Sequence, residues 1–148
     1  MKTIFFGTPE TAVPFLRLLA AKTQVLAVVS QPDKPAGRGL ETAVTPVKAA
    51  ALELGLKVLQ PAKPSEIAAE LKALGADFGV VVAYGRILKT DVLTSTKVGL
   101  LNAHFSLLPK YRGAAPVQWS LVRGEKKTGV SLFWLDEGMD TGPIQATV

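Results

Sequence analysis

Residues 78–83 read Phe-Gly-Val-Val-Val-Ala, an unbroken apolar run between Asp77 and Tyr84. A strand with one wet face alternates apolar and polar side chains, so a run without alternation implies a strand buried on both faces. Working outward, Thr3–Phe6, Val25–Val29 and the brief Lys57–Leu59 read as strands upstream of it. Val98–Ala103 and Thr128–Leu135 read as strands downstream, with Pro143–Val148 starting another. Helical spacing fills the gaps. Thr8 is placed to cap a helix that has Pro9 and Glu10 in its first turn and Ala12, Phe15, Leu16 and Leu19 on one face. Pro14 falls inside that stretch, so the regular helix starts late or kinks there. Pro46–Leu54 closed by Gly55, a helix from Ser65 with Ile67, Leu71 and Leu74 closed by Gly75, and Pro116–Arg123 closed by Gly124 complete the set. Residues 31–45 read as a long loop.

Strands alternating with helices predict an α/β domain: a Rossmann-like, open, twisted, mostly parallel sheet with helices on both faces. The length of 148 residues suits one domain able to bury a core without staples. With 48% apolar and 20% charged residues the chain is not a disordered one. The absence of cysteine excludes disulfides and thiolate metal sites and is compatible with a reducing cytoplasmic home. No apolar run approaches the roughly 20 residues that span a bilayer, so no membrane partner is expected. The first apolar burst breaks at Gly7-Thr8-Pro9, too soon for a secretory signal. The net charge of +5 favours phosphate-rich partners by steering and counterion release, and serves solubility equally well.

Open sheets of this kind bind ligands beyond the carboxyl ends of their strands, which singles out the turns after Phe6, Val29, Ala83 and Leu101. The first, Phe6-Gly7-Thr8-Pro9, has one glycine where a dinucleotide fingerprint needs three, which argues against NAD or FAD. The last holds the chain's single histidine, His104, with Asn102 two residues before it and therefore on the same strand face. Far downstream comes the acidic, glycine-rich turn Asp136-Glu137-Gly138-Met139-Asp140-Thr141-Gly142. Singly, each of these has a structural explanation: a satisfied histidine, an amide bonded to backbone, a solvated turn. Jointly they supply a titratable ring, a neutral donor and a carboxylate at strand ends, the set that acyl transfer requires. An amine adding to a carbonyl carbon generates an anionic oxygen that an imidazolium and a carboxamide stabilise. A carboxylate beside the imidazole orients it, and directly or through a water it relays the proton that the amine must lose. No His or Cys cluster suggests a metal.

The strings Asn102-Ala103-His104-Phe105-Ser106-Leu107-Leu108-Pro109 and Asp140-Thr141-Gly142 resemble the signature of the folate-dependent formyltransferases. The resemblance implies a catalytic trio of Asn102, His104 and Asp140 and 10-formyltetrahydrofolate as formyl donor. It implies a folate pocket at Tyr84, Gly85, Arg86, Ile87 and Leu88, at Ser106, Leu107, Leu108 and Pro109, and at Leu135, Asp136, Glu137 and Gly138. A flat pterin wants apolar walls and a few backbone hydrogen bonds, while Ile87 and Leu88 are equally explained as core. Phe105 departs from the pattern, since many members carry a small residue there, and bears on the local shape beside the trio.

Phe6-Gly7-Thr8-Pro9-Glu10, Gln31-Pro32-Asp33-Lys34-Pro35-Ala36-Gly37-Arg38-Gly39 and Arg112-Gly113-Ala114-Ala115-Pro116-Val117-Gln118 resemble the branch that formylates initiator methionyl-tRNA for translation initiation. In that branch the loop after the second strand enters the acceptor arm of the tRNA, which implies contacts by Lys34 and Arg38. A guanidinium makes forked bonds to phosphate or a base edge. The resemblance covers essentially all 148 residues and implies an N-terminal catalytic domain over 1–148, cut short before the family's C-terminal tRNA-binding β-barrel domain. A cytoplasmic monomer is expected. The alternatives are glycinamide ribonucleotide formyltransferase, a sugar-nucleotide formyltransferase, the hydrolase domain of formyltetrahydrofolate dehydrogenase, and a non-catalytic fragment that binds folate or RNA. The hydrolase lacks an asparagine at the position of Asn102.

Overall fold

A computed structural model describes residues 1–36 and 41–148 of the chain. Its strands are β1 (Lys2–Gly7), β2 (Gln24–Val29), β3 (Lys34–Ala36), β4 (Glu41–Ala43), β5 (Val58–Leu59), β6 (Phe78–Val82), β7 (Leu100–His104), β8 (Ser131–Trp134) and β9 (Ile144–Thr147). The α-helices are α1 (Val13–Lys22), α2 (Pro46–Glu53), α3 (Ala68–Ala73), α4 (Thr90–Leu93) and α5 (Pro116–Val122). The main sheet has the order β5-β2-β1-β6-β7-β8-β9. From β5 to β7 the strands pair in parallel, and β8 and β9 continue the sheet antiparallel. The chain builds outward from β1 first toward β5 and then toward β9, so the order reverses between β1 and β6. That reversal opens a crevice at the carboxyl ends of these strands.

The apolar run that opens the argument is β6, in the middle of the sheet. Val81 joins Ile4, Phe6, Leu71, Val92 and Leu100 in the core under α3 and α4. Val82 joins Phe5, Leu16, Val28, Val47 and Ala103 in the core under α1 and α2. The strand period of 2 sends alternate side chains to the two layers, and both layers are dry. Gly79 is a glycine because β7 crowds it: a Cβ there would run into the Leu100 side chain. Among the described residues no helix is long and apolar enough to cross a membrane.

The seven main-sheet strands lie where the sequence pattern puts them, and helices cover both faces. Local differences have local causes. Thr8 does not cap a helix. Its hydroxyl donates to the Tyr84 carbonyl at 3.0 Å and ties the end of β1 to the end of β6. Residues Glu10–Ala12 form a 3₁₀ turn, and α1 begins at Val13 with Pro14 in its first turn, where a missing N–H costs nothing. The helix expected from Ser65 opens as a 3₁₀ turn, Pro64–Ile67, before α3. The sixth main-sheet strand starts at Ser131 instead of Thr128. Helix α4 is too short to leave an apolar period in the sequence. The loop 31–45 contains an antiparallel hairpin, β3 with β4, which the prolines at 32 and 35 disguise.

Candidate functional site

The last two turns of the parallel sheet carry the polar groups. Asn102 and His104 lie on one face of β7, on the side of the α3–α4 core, and Ala103 points to the other layer. His104 is nearly buried, and its ring meets the edge of Phe133 at 6.4 Å. Its Nε2 lies 2.8 Å from the Tyr111 carbonyl oxygen. A carbonyl only accepts, so Nε2 carries a hydrogen and Nδ1 is the nitrogen left to gain or release a proton.

Nδ1 faces Asp140, with its Oδ2 at 3.6 Å. Strand β8 runs antiparallel to β7 and leaves it beside Leu101, so residues 135–140 fold back along the sheet to bring this carboxylate to the imidazole. Asp140 sits at φ +52, a left-handed conformation that aspartate tolerates better than most residues. Its Oδ2 accepts the Gly113 backbone N–H at 2.7 Å. Gly113 is itself at φ +83, where a side chain would be strained and would also press on Met139 Sδ. The separation of 3.6 Å exceeds a hydrogen bond, which leaves both groups with capacity for a third partner. No hydrogen bond to the Asn102 carboxamide occurs among the described residues.

Asn102, His104 and Asp140 line one cleft of about 570 Å³, the size of a small-molecule site. Tyr84, Gly85, Arg86, Ile87 and Leu88 form one wall, and Leu135, Asp136, Glu137 and Gly138 another. The two rims meet where the Thr90 hydroxyl donates to Glu137 Oε1 at 2.5 Å. Asp136 Oδ1 braces its own turn by accepting the Gly138 N–H and the Thr141 hydroxyl. Ile87 is 84% exposed on the rim, so core packing does not explain it, while Leu88 is buried in the α3–α4 core as well as bordering the cleft. Tyr84 is buried, its ring edge-on to Phe6, and burial pushes its hydroxyl pKa up. Its carbonyl accepts both Thr8 Oγ1 and, at 2.8 Å, Gln31 Nε2.

Ser106, Leu107, Leu108 and Pro109, also expected at the folate, are not among the residues that wall this cleft. Ser106 is buried and donates to the Lys110 carbonyl at 2.6 Å. Ser131 Oγ donates to the Ser106 carbonyl and accepts the Leu108 N–H. Leu107, Leu108 and Pro109 border a separate cavity of about 280 Å³ with Lys110, Tyr111 and Glu125. The segment's own hydrogen bonds close its turn against β8. Phe105 borders the cleft, but its ring packs edge-on to Phe15 of α1 at 6.0 Å, on the opposite layer from the trio. Lys34 is exposed on β3, and Arg38 lies outside the described residues. The remaining cleft residues, Ala114, Ala115, Pro116, Leu93 and Met139 among them, carry no polar side chain. Together with the backbone groups of Tyr111 and Gly113 they leave no chemical signal in the sequence. Among the described residues no group of three or more His, Cys, Asp or Glu side chains is arranged to hold a metal ion.

The whole chain, residues 1–148, matches the family model described as formyl transferase. Methionyl-tRNA formyltransferase of Elusimicrobium minutum is 60% identical over 146 residues, covering 99% of the chain and 44% of that protein. The protein of the same name from Sorangium cellulosum is 55% identical over 148 residues, covering 48% of its length. The chain thus spans about half the length of the curated relatives it matches. Among solved structures, glycinamide ribonucleotide transformylase 1 from Geobacillus kaustophilus superposes with a TM-score of 0.80 at 25% identity, over 99% of the chain and 80% of that structure. Phosphoribosylglycinamide formyltransferase from Bacillus halodurans shares the fold with a TM-score of 0.78 at 22% identity, over 100% of the chain and 78% of that structure. With the family model matched from end to end and the sheet shared with these enzymes, the chain belongs to the formyl transferase family.

Proposed function

We propose that the chain carries out transfer of a formyl group from 10-formyltetrahydrofolate to the amino group of initiator methionyl-tRNA. One observation carries the reading: Asn102, His104 and Asp140, remote in sequence, share a single cleft with the imidazole and carboxylate 3.6 Å apart. The cleft suits a folate in size and wall chemistry, with an apolar rim at Ile87 and backbone amides along residues 84–88 and 135–138. Bound there, the folate supplies the formyl group and the nitrogen that leaves.

The protein's own groups divide the remaining work. The Asn102 carboxamide, without a hydrogen-bond partner among the described residues, donates a hydrogen bond to the carbonyl oxygen as it turns anionic. His104 presents Nδ1 to the same space. Protonated there, it adds a second donor, and its ring is kept in orientation by the bond from Nε2 to Tyr111. Asp140, held by the Gly113 amide, accepts the proton that the attacking amine gives up, directly or through one water, and returns it to the nitrogen that leaves as its bond to the formyl carbon breaks. Ser106–Pro109, which follows His104 directly in the chain, is proposed to add to the folate site beside these walls. The hairpin of β3 and β4, with Lys34 and Arg38, is the proposed contact to the tRNA acceptor arm. Half-length coverage of the relatives makes the acceptor the decisive question. The test is formyl transfer from 10-formyltetrahydrofolate to methionyl-tRNA and, in parallel, to glycinamide ribonucleotide. Formylmethionyl-tRNA as the product supports the reading. Formylation of glycinamide ribonucleotide alone, or binding of folate without turnover, overturns it.

A further inference from the structure

The loop of residues 108–113 touches both ionisable members of the proposed centre. The Tyr111 carbonyl holds His104 Nε2, and the Gly113 N–H holds Asp140. Tyr111 and Gly113 both have positive φ, so this stretch does not hold itself in shape by regular structure. Its start is tied by Ser106 to the Lys110 carbonyl. Beyond that point, among the described residues, the side-chain bonds that fix it from outside the centre converge on one residue. Glu125 Oε1 accepts the Tyr111 hydroxyl at 2.8 Å and Lys110 Nζ at 2.9 Å. Glu125 follows α5 and is anchored in turn by its backbone N–H, which donates to the Ser120 carbonyl at 3.0 Å. It does not line the cleft and touches neither His104 nor Asp140. The ammonium of Lys110 and the hydroxyl of Tyr111 hold its carboxylate below the usual range, in keeping with a charged acceptor of both bonds.

We propose that Glu125 is a positioning residue: by pinning the Tyr111 side chain it sets the Tyr111 carbonyl that selects the Nε2–H tautomer of His104 and leaves Nδ1 turned to Asp140. Its effect on rate rests on the formyl-transfer reading above, but its effect on the imidazole does not.

The chain has a single histidine, so ¹⁵N-labelled histidine reports on His104 alone. In the unaltered chain the two ring nitrogens are expected to resonate apart, with the hydrogen on Nε2. Glu125→Ala and Tyr111→Phe are expected to pull the two resonances together as the tautomers mix. The turnover number for formyl transfer is expected to fall about tenfold, the lower range for loss of an orienting partner, with the KM for 10-formyltetrahydrofolate unchanged. Glu125→Gln, whose amide oxygen still accepts the Tyr111 hydroxyl, is expected to keep most of the original spectrum. Should Glu125→Ala unfold, Tyr111→Phe decides, because it removes one oxygen and no volume from the core. An unaltered imidazole spectrum in Tyr111→Phe overturns the proposal whatever the rate. An altered spectrum in a chain that transfers no formyl group overturns the proposed function and leaves the positioning role standing.

Discussion

Two polar regions sit at the carboxyl ends of different strands in the same parallel sheet and are finished differently. Beyond β2 and β5 the side chains of Ser30, Gln31, Asp33, Thr45 and Gln60 all find hydrogen-bond partners. Asp33 accepts Gln60 Nε2 at 2.7 Å and the Thr45 N–H, and pairs with Lys48 Nζ. Gln60 also donates to the Gln31 carbonyl, Ser30 and Thr45 share a hydroxyl bond at 2.7 Å, and Thr45 caps α2 through the Lys48 N–H. Beyond β7 the groups are left partly open. Asn102 has no partner among the described residues, and the His104–Asp140 gap is wider than a hydrogen bond. Saturated polar groups build architecture, because a buried group without a partner costs stability. Groups left with spare capacity around a cavity are available to a ligand. The first region positions the hairpin and, through Gln31, the Tyr84 wall of the cleft; the second is the proposed place for chemistry.

If that division is right, substitutions in the two regions separate rate from stability. The largest effect is expected from Asn102→Ala: formyl transfer falls about 100- to 1000-fold, as for loss of an oxyanion donor. Its melting temperature stays near that of the unaltered chain, since no internal bond is lost. A large drop in melting temperature instead would place Asn102 in the architecture. Next, Asp140→Asn keeps an oxygen to accept the Gly113 N–H but removes the charge facing His104. A loss of about 100-fold in turnover is expected, the scale of one proton-transfer group, and single-turnover kinetics read it directly.

Asp33→Asn tests the saturated region and is expected to cost about 1–2 kcal/mol of folding stability through weakened charge-assisted bonds. Urea unfolding at neutral pH measures it. Lys48 first, and Gln60 next, hold the Asp33 carboxyl below the usual carboxylate range. A depressed carboxylate contributes stability that is complete above the unfolded pKa, about 4, and is lost as pH falls through the lower folded value. The gap between the variant and the unaltered chain should therefore close as pH drops below about 4; a gap that persists in acid would show that packing, and not charge, is responsible. The smallest effect is expected at the exposed pair of Arg17 and Glu53, 2.7 Å apart. Arg17→Ala should change stability by less than about 0.5 kcal/mol. A larger change there would mean that short distance alone, without enclosure, stabilises this fold.

The fold was legible wherever period and punctuation agree. Residues 78–83 announce a strand dry on both faces, and Gly55, Gly75 and Gly124 mark helix ends at positive φ. It was illegible where a tertiary contact outbid local preference. Thr8 has the chemistry of a helix cap but is drawn to the Tyr84 carbonyl, and the hairpin of β3 and β4 hides among prolines. In the site, Asn102 and His104 share a face by strand period alone. Asp140 reaches them only because β8 runs antiparallel and its loop folds back. Ser106–Pro109 carries a recognisable string, but the bonds that shape it, from the Ser106 hydroxyl to the Lys110 carbonyl and from the Leu108 N–H and Ser106 carbonyl to Ser131, appear only in the folded chain.

By itself, the sequence determined the strand and helix layers, the identity of the polar groups, and membership of a chemical family. The layers and the polar groups follow from side-chain chemistry and from periods of 2 and 3.6, which are local properties, and the family follows from the resemblance of whole strings. Only the tertiary structure decided which nitrogen of His104 faces Asp140, which residues wall the cleft, and that Glu125 stands behind Tyr111. Those depend on backbone carbonyls and amides brought together across strands. Every residue carries the same two such groups, so no sequence pattern distinguishes the ones that are used.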